Sequence, residues 1–218
     1  MVKAAIFDLD GLLVDTEVVS YRILREILAQ FGNPFALEEY TRAFCGKPER
    51  DNAAHLVEAY GLPWTAAEAL ERIFQREEEL HAQGVALKPG ARALLDYLKK
   101  TGRKIALASS STRDRAMALL DQHQIGEYFQ AFVFAEDIAR GKPAPDVFWK
   151  ACEKLGEAPE DCLVLEDSEA GVRAAHAAGI PVLCVPDLKR PPQPVLDLAA
   201  AVLPSLEEAV GYLSDQKG

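Results

Sequence analysis

Positive charge is scarce in this sequence of 218 residues, in which 24 Lys and Arg stand against 34 Asp and Glu and the formal net charge is −10. A surface of this sign repels phosphate backbones at long range, so we expect no nucleic-acid partner. Long apolar runs are missing as well, since no segment approaches the roughly 18 residues of a membrane helix. The apolar stretch Ala4–Phe7 is too short for the core of a signal peptide. We therefore expect a cytoplasmic protein without a membrane partner.

Cysteine is also rare, and the four that occur are isolated along the chain: Cys45, Cys152, Cys162 and Cys184. The sequence has no C-x-x-C pair and no histidine at metal-ligand spacing, so it carries no recognisable zinc motif. Free cysteine behaves as a small apolar residue in reducing compartments. We expect all four side chains to be buried.

Short, mostly apolar segments recur along the chain and predict the strands of a parallel sheet covered on both faces. These segments are Lys3–Asp8, Lys104–Ala108, Ala131–Phe134, Cys162–Leu165, Pro181–Val185 and Ala200–Leu203. Helical patterns lie between them in the second half of the chain: Ala91–Thr101, Thr112–His123, Pro145–Leu155, Glu169–Ala178 and Ser205–Leu213. The alternation predicts an α/β fold with a doubly wound, Rossmann-like parallel sheet.

Residues 18–83 interrupt that alternation, because every periodic segment in them is helical. The predicted helices are Arg22–Phe31, Leu37–Phe44, Arg50–Tyr60 and Thr65–Leu80, separated by Gly- and Pro-containing turns. We therefore predict two domains, with residues 1–17 and 89–218 forming the α/β core and residues 18–88 forming an inserted helical cap. An insert directly after the first strand begins at the sheet edge where such folds bind ligands.

The first predicted strand runs directly into acidic residues, Asp8 and Asp10, followed by Gly11. Two carboxylates this close repel each other unless a cation or a shared proton relieves the repulsion, and Mg²⁺ is the natural oxygen-seeking ion. A simple surface turn is the alternative, because Asp and Gly are common in turns. An EF-hand calcium loop is excluded, since Leu12 and Val19 occupy positions that need oxygen ligands.

The strand Lys104–Ala108 ends in a cluster of hydroxyl side chains just before a predicted helix. Hydroxyls and free helix N–H groups at such a place can bind an anion. Ser109 follows the strand directly and is best placed to face the ligand edge. The simpler interpretation is helix capping, which we expect from Ser111 or Thr112.

Two further segments carry candidate groups at strand ends. Lys142 stands between Gly141 and Pro143, on a backbone of restricted freedom, although an ordinary surface lysine is the alternative. Glu166 and Asp167 follow the strand Cys162–Leu165 and form a second acidic pair suited to a cation, or else begin a helix. A cation, a nucleophile, a proton donor and a positive clamp are together what phosphoryl transfer requires.

These segments resemble, in order, the four motifs of the haloacid dehalogenase superfamily, in its branch with a helical cap. The matching residues are Asp8–Thr16 (DLDGLLVDT), Leu107–Ser111 (LASSS), Gly141–Asp146 (GKPAPD) and Glu166–Gly171 (EDSEAG). The resemblance covers nearly the whole chain and is nearest to β-phosphoglucomutase and the sugar-phosphate phosphatases. It implies a Mg²⁺-dependent phosphatase that acts on a small phosphorylated metabolite, with a sugar phosphate as the expected substrate.

The resemblance also implies a role for each matched residue. Asp8 would be the nucleophile that forms an aspartyl phosphate, and Asp10 the general acid and base. The metal would be held by Asp8, the backbone carbonyl of Asp10 and Asp167, with Glu166 contributing directly or through water. The remaining implied contacts are Ser109 and Lys142 to the phosphoryl oxygens, and Ser110, Ser111, Lys47 and Arg50 to the substrate.

Hydrolysis is favoured over a mutase reaction by two departures from the mutase pattern. The mutase branch carries a histidine shortly after its Asp-Thr pair, whereas Glu17–Tyr21 contains none. Arg50 stands one position away from the mutase spacing of a basic residue. A β-phosphoglucomutase-type enzyme remains the alternative, and a non-catalytic protein that binds a phosphorylated metabolite is a second one.

Overall fold

The computed structural model describes residues 2–215, which divide into two compact units. The junctions lie between Val14 and Asp15 and between Ala86 and Leu87. The boundaries predicted from the sequence, after residues 17 and 88, are close to these junctions. The assignment of residues 18–88 as a cap domain stays a prediction.

In the described part of the unit built from both ends of the chain, parallel strands form one sheet. The strands are β1 (Ala4–Phe7), β2 (Lys104–Ala108), β3 (Ala131–Val133), β4 (Cys162–Glu166), β5 (Val182–Cys184) and β6 (Ala201–Val202). Every residue of β1 and β4 is buried, because helices cover both faces of a doubly wound sheet. The predicted fold class is confirmed, and each predicted strand is present: β2 has the predicted bounds, β4 is one residue longer, and the other four are shorter.

The unit formed by residues 15–86 is helical, as the sequence pattern predicts. Its helices are α1 (Thr16–Ala29), α2 (Leu37–Ala43), α3 (Glu49–Tyr60) and α4 (Ala66–Gln83). A capping box begins α4, in which the Thr65 hydroxyl accepts from the Glu68 N–H and the Glu68 carboxylate accepts from the Thr65 N–H. Buried aromatic rings pack around Phe35, which makes edge contacts with Tyr40 and Phe44.

The helices that cover the sheet follow in the second half of the chain. They are α5 (Ala91–Lys100), α6 (Arg113–Gln122), α7 (Asp146–Leu155), α8 (Glu169–Ala177), α9 (Gln193–Leu196) and α10 (Leu206–Asp215). Each of the longer ones buries an apolar face; α7, for example, buries Phe148 and Ala151 in the core shared with Ile6 and Val164. Across residues 2–215, every helix is too short or too polar to cross a membrane.

The order of the strands creates the ligand edge of the sheet. The order is β3-β2-β1-β4-β5-β6, so β1 lies in the middle with β2 on one side and β4 on the other. The chain extends the sheet outward from β1 through β2 and β3 and then returns to start β4 beside β1. This reversal is the topological switch point, and the carboxyl ends of β1, β2 and β4 meet there.

Candidate active site

Three neighbouring strand ends bring the sequence-predicted residues together. Phe7 is in register with Leu107 of β2 and with Leu165 of β4. Asp8 therefore leaves β1 beside the end of β2 and the end of β4, and its N–H donates to the Leu165 carbonyl over 3.1 Å. Parallel pairing alone thus places the first carboxylate beside Ser109 and the second acidic pair.

Lys142 reaches this edge from the loop before α7 and joins two of the carboxylates. Its Nζ lies 2.6 Å from Asp8 Oδ1, 2.6 Å from Glu166 Oε1 and 3.0 Å from the Ala108 carbonyl oxygen. The lysine side chain is 5% exposed, which excludes the alternative of an ordinary surface lysine. Burial acts to lower the pKa of Lys142, but Asp8 and Glu166 outweigh it and raise that pKa, so the ammonium stays charged.

Burial raises the pKa of Asp8, the candidate nucleophile, to about 7. Lys142 acts to lower that pKa, whereas Glu166 and Asp10 raise it further. Burial and the two neighbouring carboxylates together therefore outweigh the single ammonium of Lys142. Additional positive charge would stabilise the ionised form of Asp8.

Glu166 is held in place by the beginning of α8. Its Oε2 accepts from the Asp167 N–H at 3.0 Å, the Ser168 N–H at 3.1 Å and the Ser168 hydroxyl at 3.0 Å. Ser168 also caps α8 by accepting from the Gly171 N–H. The carboxyl group lies so close to the Gly171 backbone that a Cβ at position 171 would overlap it. The motif Glu166–Gly171 thus fixes a buried carboxylate at a helix N-terminus, where negative charge is favourable.

The carboxylates at this edge fit a hard divalent cation. One oxygen each from Asp8, Glu166 and Asp167 lies within 4.8 Å of the others. Carboxylate oxygens are the ligands that Mg²⁺ prefers. Gly11, at φ +78°, leaves the space beside Asp167 open, since a Cβ there would lie 2.6 Å from Asp167 Oδ2. Asp10 stands outside this group, and its predicted metal contact is through its backbone carbonyl.

The side chain of Asp10 is bonded to the end of β2 and the start of α6. Its Oδ2 accepts from the Ser111 hydroxyl at 2.7 Å, and its Oδ1 accepts from Arg115 Nη1 at 2.7 Å. Arg115 Nη1 also donates to the Ser111 hydroxyl oxygen over 2.6 Å. Sequence reasoning missed Arg115. The signal was available, because residue 115 lies one helical turn after Ser111 in a predicted helix.

The hydroxyl cluster is placed as predicted, but its capping role is not. Ser109 is fully buried, and its hydroxyl oxygen accepts from the Ser111 N–H at 3.0 Å, while Ser110 is exposed. Thr112 is the N-cap residue of α6 and makes no side-chain cap bond, so the expected capping by Ser111 or Thr112 is wrong. The Glu136 carboxylate accepts from the first helical N–H instead. The Ser111 hydroxyl donates its hydrogen bond to the Asp10 carboxylate and is therefore not available as a cap.

A further acidic residue at the same edge was also missed. Asp187 follows β5 closely, and its Oδ1 accepts from Lys88 Nζ at 2.5 Å. Its Oδ2 lies near Gly11, 3.1 Å from where a Cβ would stand. The signal was an acid just after the predicted strand Pro181–Val185, at another carboxyl-terminal strand end.

The two basic residues predicted to bind substrate lie in the helical unit. Lys47 precedes α3 and Arg50 lies in its first turn, and both are exposed. The contacts of Lys47 and Arg50 with substrate stay predictions.

The predicted burial of the cysteine side chains is confirmed for all four residues.

Comparison with known proteins finds similarity over most of the chain. A family model described as haloacid dehalogenase-like hydrolase matches residues 5–185. The phosphorylated carbohydrates phosphatase of Thermotoga maritima is 33% identical over 178 residues, covering 82% of this chain and 82% of that protein. Hexitol phosphatase A of Escherichia coli is 35% identical over 188 residues, covering 84% and 82%. A solved HAD family hydrolase from Deinococcus radiodurans, with bound phosphate and sodium, has a TM-score of 0.84 at 31% identity, covering 98% of this chain and 96% of that chain.

Proposed function

Because the chain belongs to the haloacid dehalogenase-like hydrolase family, as its four motifs predicted, we propose that it hydrolyses the phosphate monoester of a small metabolite, in particular a sugar phosphate. The observation that carries this proposal is the pairing of Lys142 with both Asp8 and Glu166 at the carboxyl edge of the sheet. A buried lysine beside a carboxylate nucleophile offsets the repulsion between that carboxylate and an anionic phosphate. The names of the phosphatase relatives support a phosphorylated carbohydrate as substrate.

In the first half of the proposed reaction, an oxygen of Asp8 attacks phosphorus and the bond from phosphorus to the ester oxygen breaks. Asp10 donates a proton to the departing alkoxide, and Asp8 is left as an aspartyl phosphate. In the second half, Asp10 takes a proton from water as that water attacks the same phosphorus. Inorganic phosphate leaves, and the Asp8 carboxylate is restored. Ser109 and Lys142 hold the phosphoryl oxygens throughout.

The acidic residues fit Mg²⁺ as the cofactor of this reaction. Asp8, the backbone carbonyl of Asp10 and Asp167 would hold it, and Glu166 would contribute directly or through water. When bound, the cation supplies charge that stabilises the phosphoryl group in the transition state. The raised pKa of Asp8 is compatible with this assignment, because burial and the carboxylates of Glu166 and Asp10 disfavour its ionised form and a cation would favour it.

Substrate selection falls, in this proposal, to the helical unit, residues 18–88 acting as a cap domain. Lys47 and Arg50 are exposed cations there and would contact an anionic or hydroxylated substrate. Ser110 would contribute from the core, whereas the Ser111 hydroxyl, also predicted to contact the substrate, is hydrogen-bonded to Asp10 and Arg115.

The test is phosphate release from a panel of sugar phosphates, nucleotides and p-nitrophenyl phosphate, measured with Mg²⁺ and with EDTA. We expect release that requires the cation and is abolished in Asp8→Asn. The control is Asp121→Asn, which changes an exposed aspartate of α6 and keeps full activity. Conversion of β-glucose 1-phosphate to glucose 6-phosphate without release would establish the mutase alternative instead. Tight binding of phosphate with no turnover on any substrate would favour the non-catalytic alternative.

A further inference from the structure

We propose that Arg115 is a positioning residue that holds the carboxylate of Asp10 in the orientation needed to protonate the leaving group. The proposal rests on the proposed function, in which Asp10 is the general acid. It concerns a residue that none of the four motifs contains. Arg115 lies in the first turn of α6, and it acts through Asp10 without contacting the reacting atoms.

The geometry is a closed triangle of hydrogen bonds. Arg115 Nη1 donates to Asp10 Oδ1 at 2.7 Å and to the Ser111 hydroxyl oxygen at 2.6 Å, while that hydroxyl donates to Asp10 Oδ2 at 2.7 Å. Each carboxylate oxygen therefore has its own partner. Two bonds to two different oxygens fix both the position of the carboxyl group and the plane in which it lies, which a single bond does not.

Burial alone does not immobilise the side chain of Asp10. Its side chain is 28% exposed and that of Arg115 is 23% exposed, whereas the Glu166 side chain is fully buried. An aspartate at a partly open edge samples several rotamers unless hydrogen bonds select one. Catalytic groups must be held within roughly 0.5 Å of the productive position. A carboxylate oxygen has two lone-pair sites, so accepting one hydrogen bond does not by itself prevent it from carrying a proton.

The consequence is a dependence on the leaving group. A sugar alkoxide needs a proton from Asp10 as the ester bond breaks, whereas p-nitrophenolate is stable without one. Loss of Arg115 should therefore lower kcat/KM for a sugar phosphate and leave kcat/KM for p-nitrophenyl phosphate nearly unchanged. The ratio kcat/KM reports only the steps up to aspartyl phosphate formation, so the later attack of water does not blur the comparison.

The experiment compares Arg115→Ala, Arg115→Lys and the control Arg113→Ala with the unchanged protein on both substrates. Arg113 begins the same helix, and its guanidinium lies over the Phe134 ring. For Arg115→Ala we expect a loss of roughly 10- to 100-fold on the sugar phosphate, since a small misplacement of a catalytic group costs about that much. The loss on p-nitrophenyl phosphate should be under about threefold, and KM for the sugar phosphate should change little. Arg115→Lys should recover part of the loss, and it serves in place of the alanine variant if that one does not fold.

A second measurement asks whether Arg115 acts through Asp10. In an Asp10→Asn background, Arg115→Ala should have no further effect on the sugar phosphate, because the group it positions is already gone. Equal losses on both substrates, a large rise in KM, or a full additional loss in the Asp10→Asn background would each overturn the proposal. If the unchanged protein hydrolyses no phosphate ester, the proposed function itself is refuted. That outcome is distinct from a failure of the Arg115 proposal, because it is seen without any variant.

Discussion

Replacing Lys142 with methionine removes the cation that lies between two buried carboxylates. The side chains of Lys142, Asp8 and Glu166 are 5%, 10% and 0% exposed, so water does not screen these ion pairs. Methionine preserves most of the volume and the apolar stem, so the change isolates the charge. Two carboxylates that face the same ammonium within 2.6 Å are then left without it.

The expected loss follows from that burial. Breaking a buried ion pair by removing one partner costs about 3–5 kcal/mol of unfolding free energy, whereas an exposed pair contributes about 1 kcal/mol or less. For a chain of this size, a loss of that magnitude lowers the melting temperature by roughly 10 °C. We expect Lys142→Met to show this loss in guanidinium unfolding at neutral pH with EDTA present. Catalysis should be lost as well.

The addition of Mg²⁺ and a matched lysine variant test whether the lost charge of Lys142 causes the loss of stability. A cation bound beside Asp8, Glu166 and Asp167, as proposed above, would restore positive charge near the same carboxylates, so Mg²⁺ should stabilise Lys142→Met more than the unchanged protein. In the control Lys150→Met, the lost partner is Glu153, in an exposed pair, and stability should hardly change. A loss in Lys142→Met no larger than in this control would refute the electrostatic reasoning.

Three further outcomes are expected. Gly171→Ala should lose about 1–3 kcal/mol in thermal unfolding, because its Cβ meets the Glu166 carboxyl group, whereas Gly211→Ala, in the open interior of α10, should gain about 0.5 kcal/mol; a gain in both would contradict the packing at Gly171. A hydrogen bond from Arg76, and to a smaller extent one from Arg22, lowers the pKa of Glu26 below its unperturbed value of 4.5. The resulting stabilisation is fully present above pH 4.5 and is lost as the pH falls through the lowered pKa of the folded protein. Arg76→Ala should therefore lower stability slightly at neutral pH, and the loss should shrink as the pH falls through that lowered pKa in urea unfolding; a loss that does not change with pH would exclude the ion pair as its source. Removal of divalent cations should lower the melting temperature of the unchanged protein, because the cation binds only to the folded chain, and an unchanged value would count against a resident metal.

The elements of the fold were accessible from local patterns. Apolar runs without alternation predicted strands covered on both faces, and β2 has the predicted bounds of Lys104–Ala108. The order of the four motifs placed Asp8, Ser109 and Glu166 at strand ends before any contact was known. Such predictions succeed because periodicity and turn residues depend on neighbours a few positions away.

Capping at the start of α6 shows where local reasoning failed. Ser111 and Thr112 have the right residue types and position for a cap, yet neither side chain caps the helix. Glu136, from a segment more than 20 residues away, bonds the free N–H, and Asp10 takes the Ser111 hydroxyl. Propensity describes what a side chain can do, and a competing partner elsewhere in the fold decides what it does.

The sequence by itself determined the family, the α/β class, the helical insert and the residue types at each strand end. Only the tertiary structure decided the partners: Lys142 with Asp8 and Glu166, Arg115 with Asp10, and Lys88 with Asp187. The physical reason is that these pairs join segments far apart in the chain, and their distances are set by the strand order. Placing β1 between β2 and β4 brings those segments to one edge, and no pattern within a single segment carries that information.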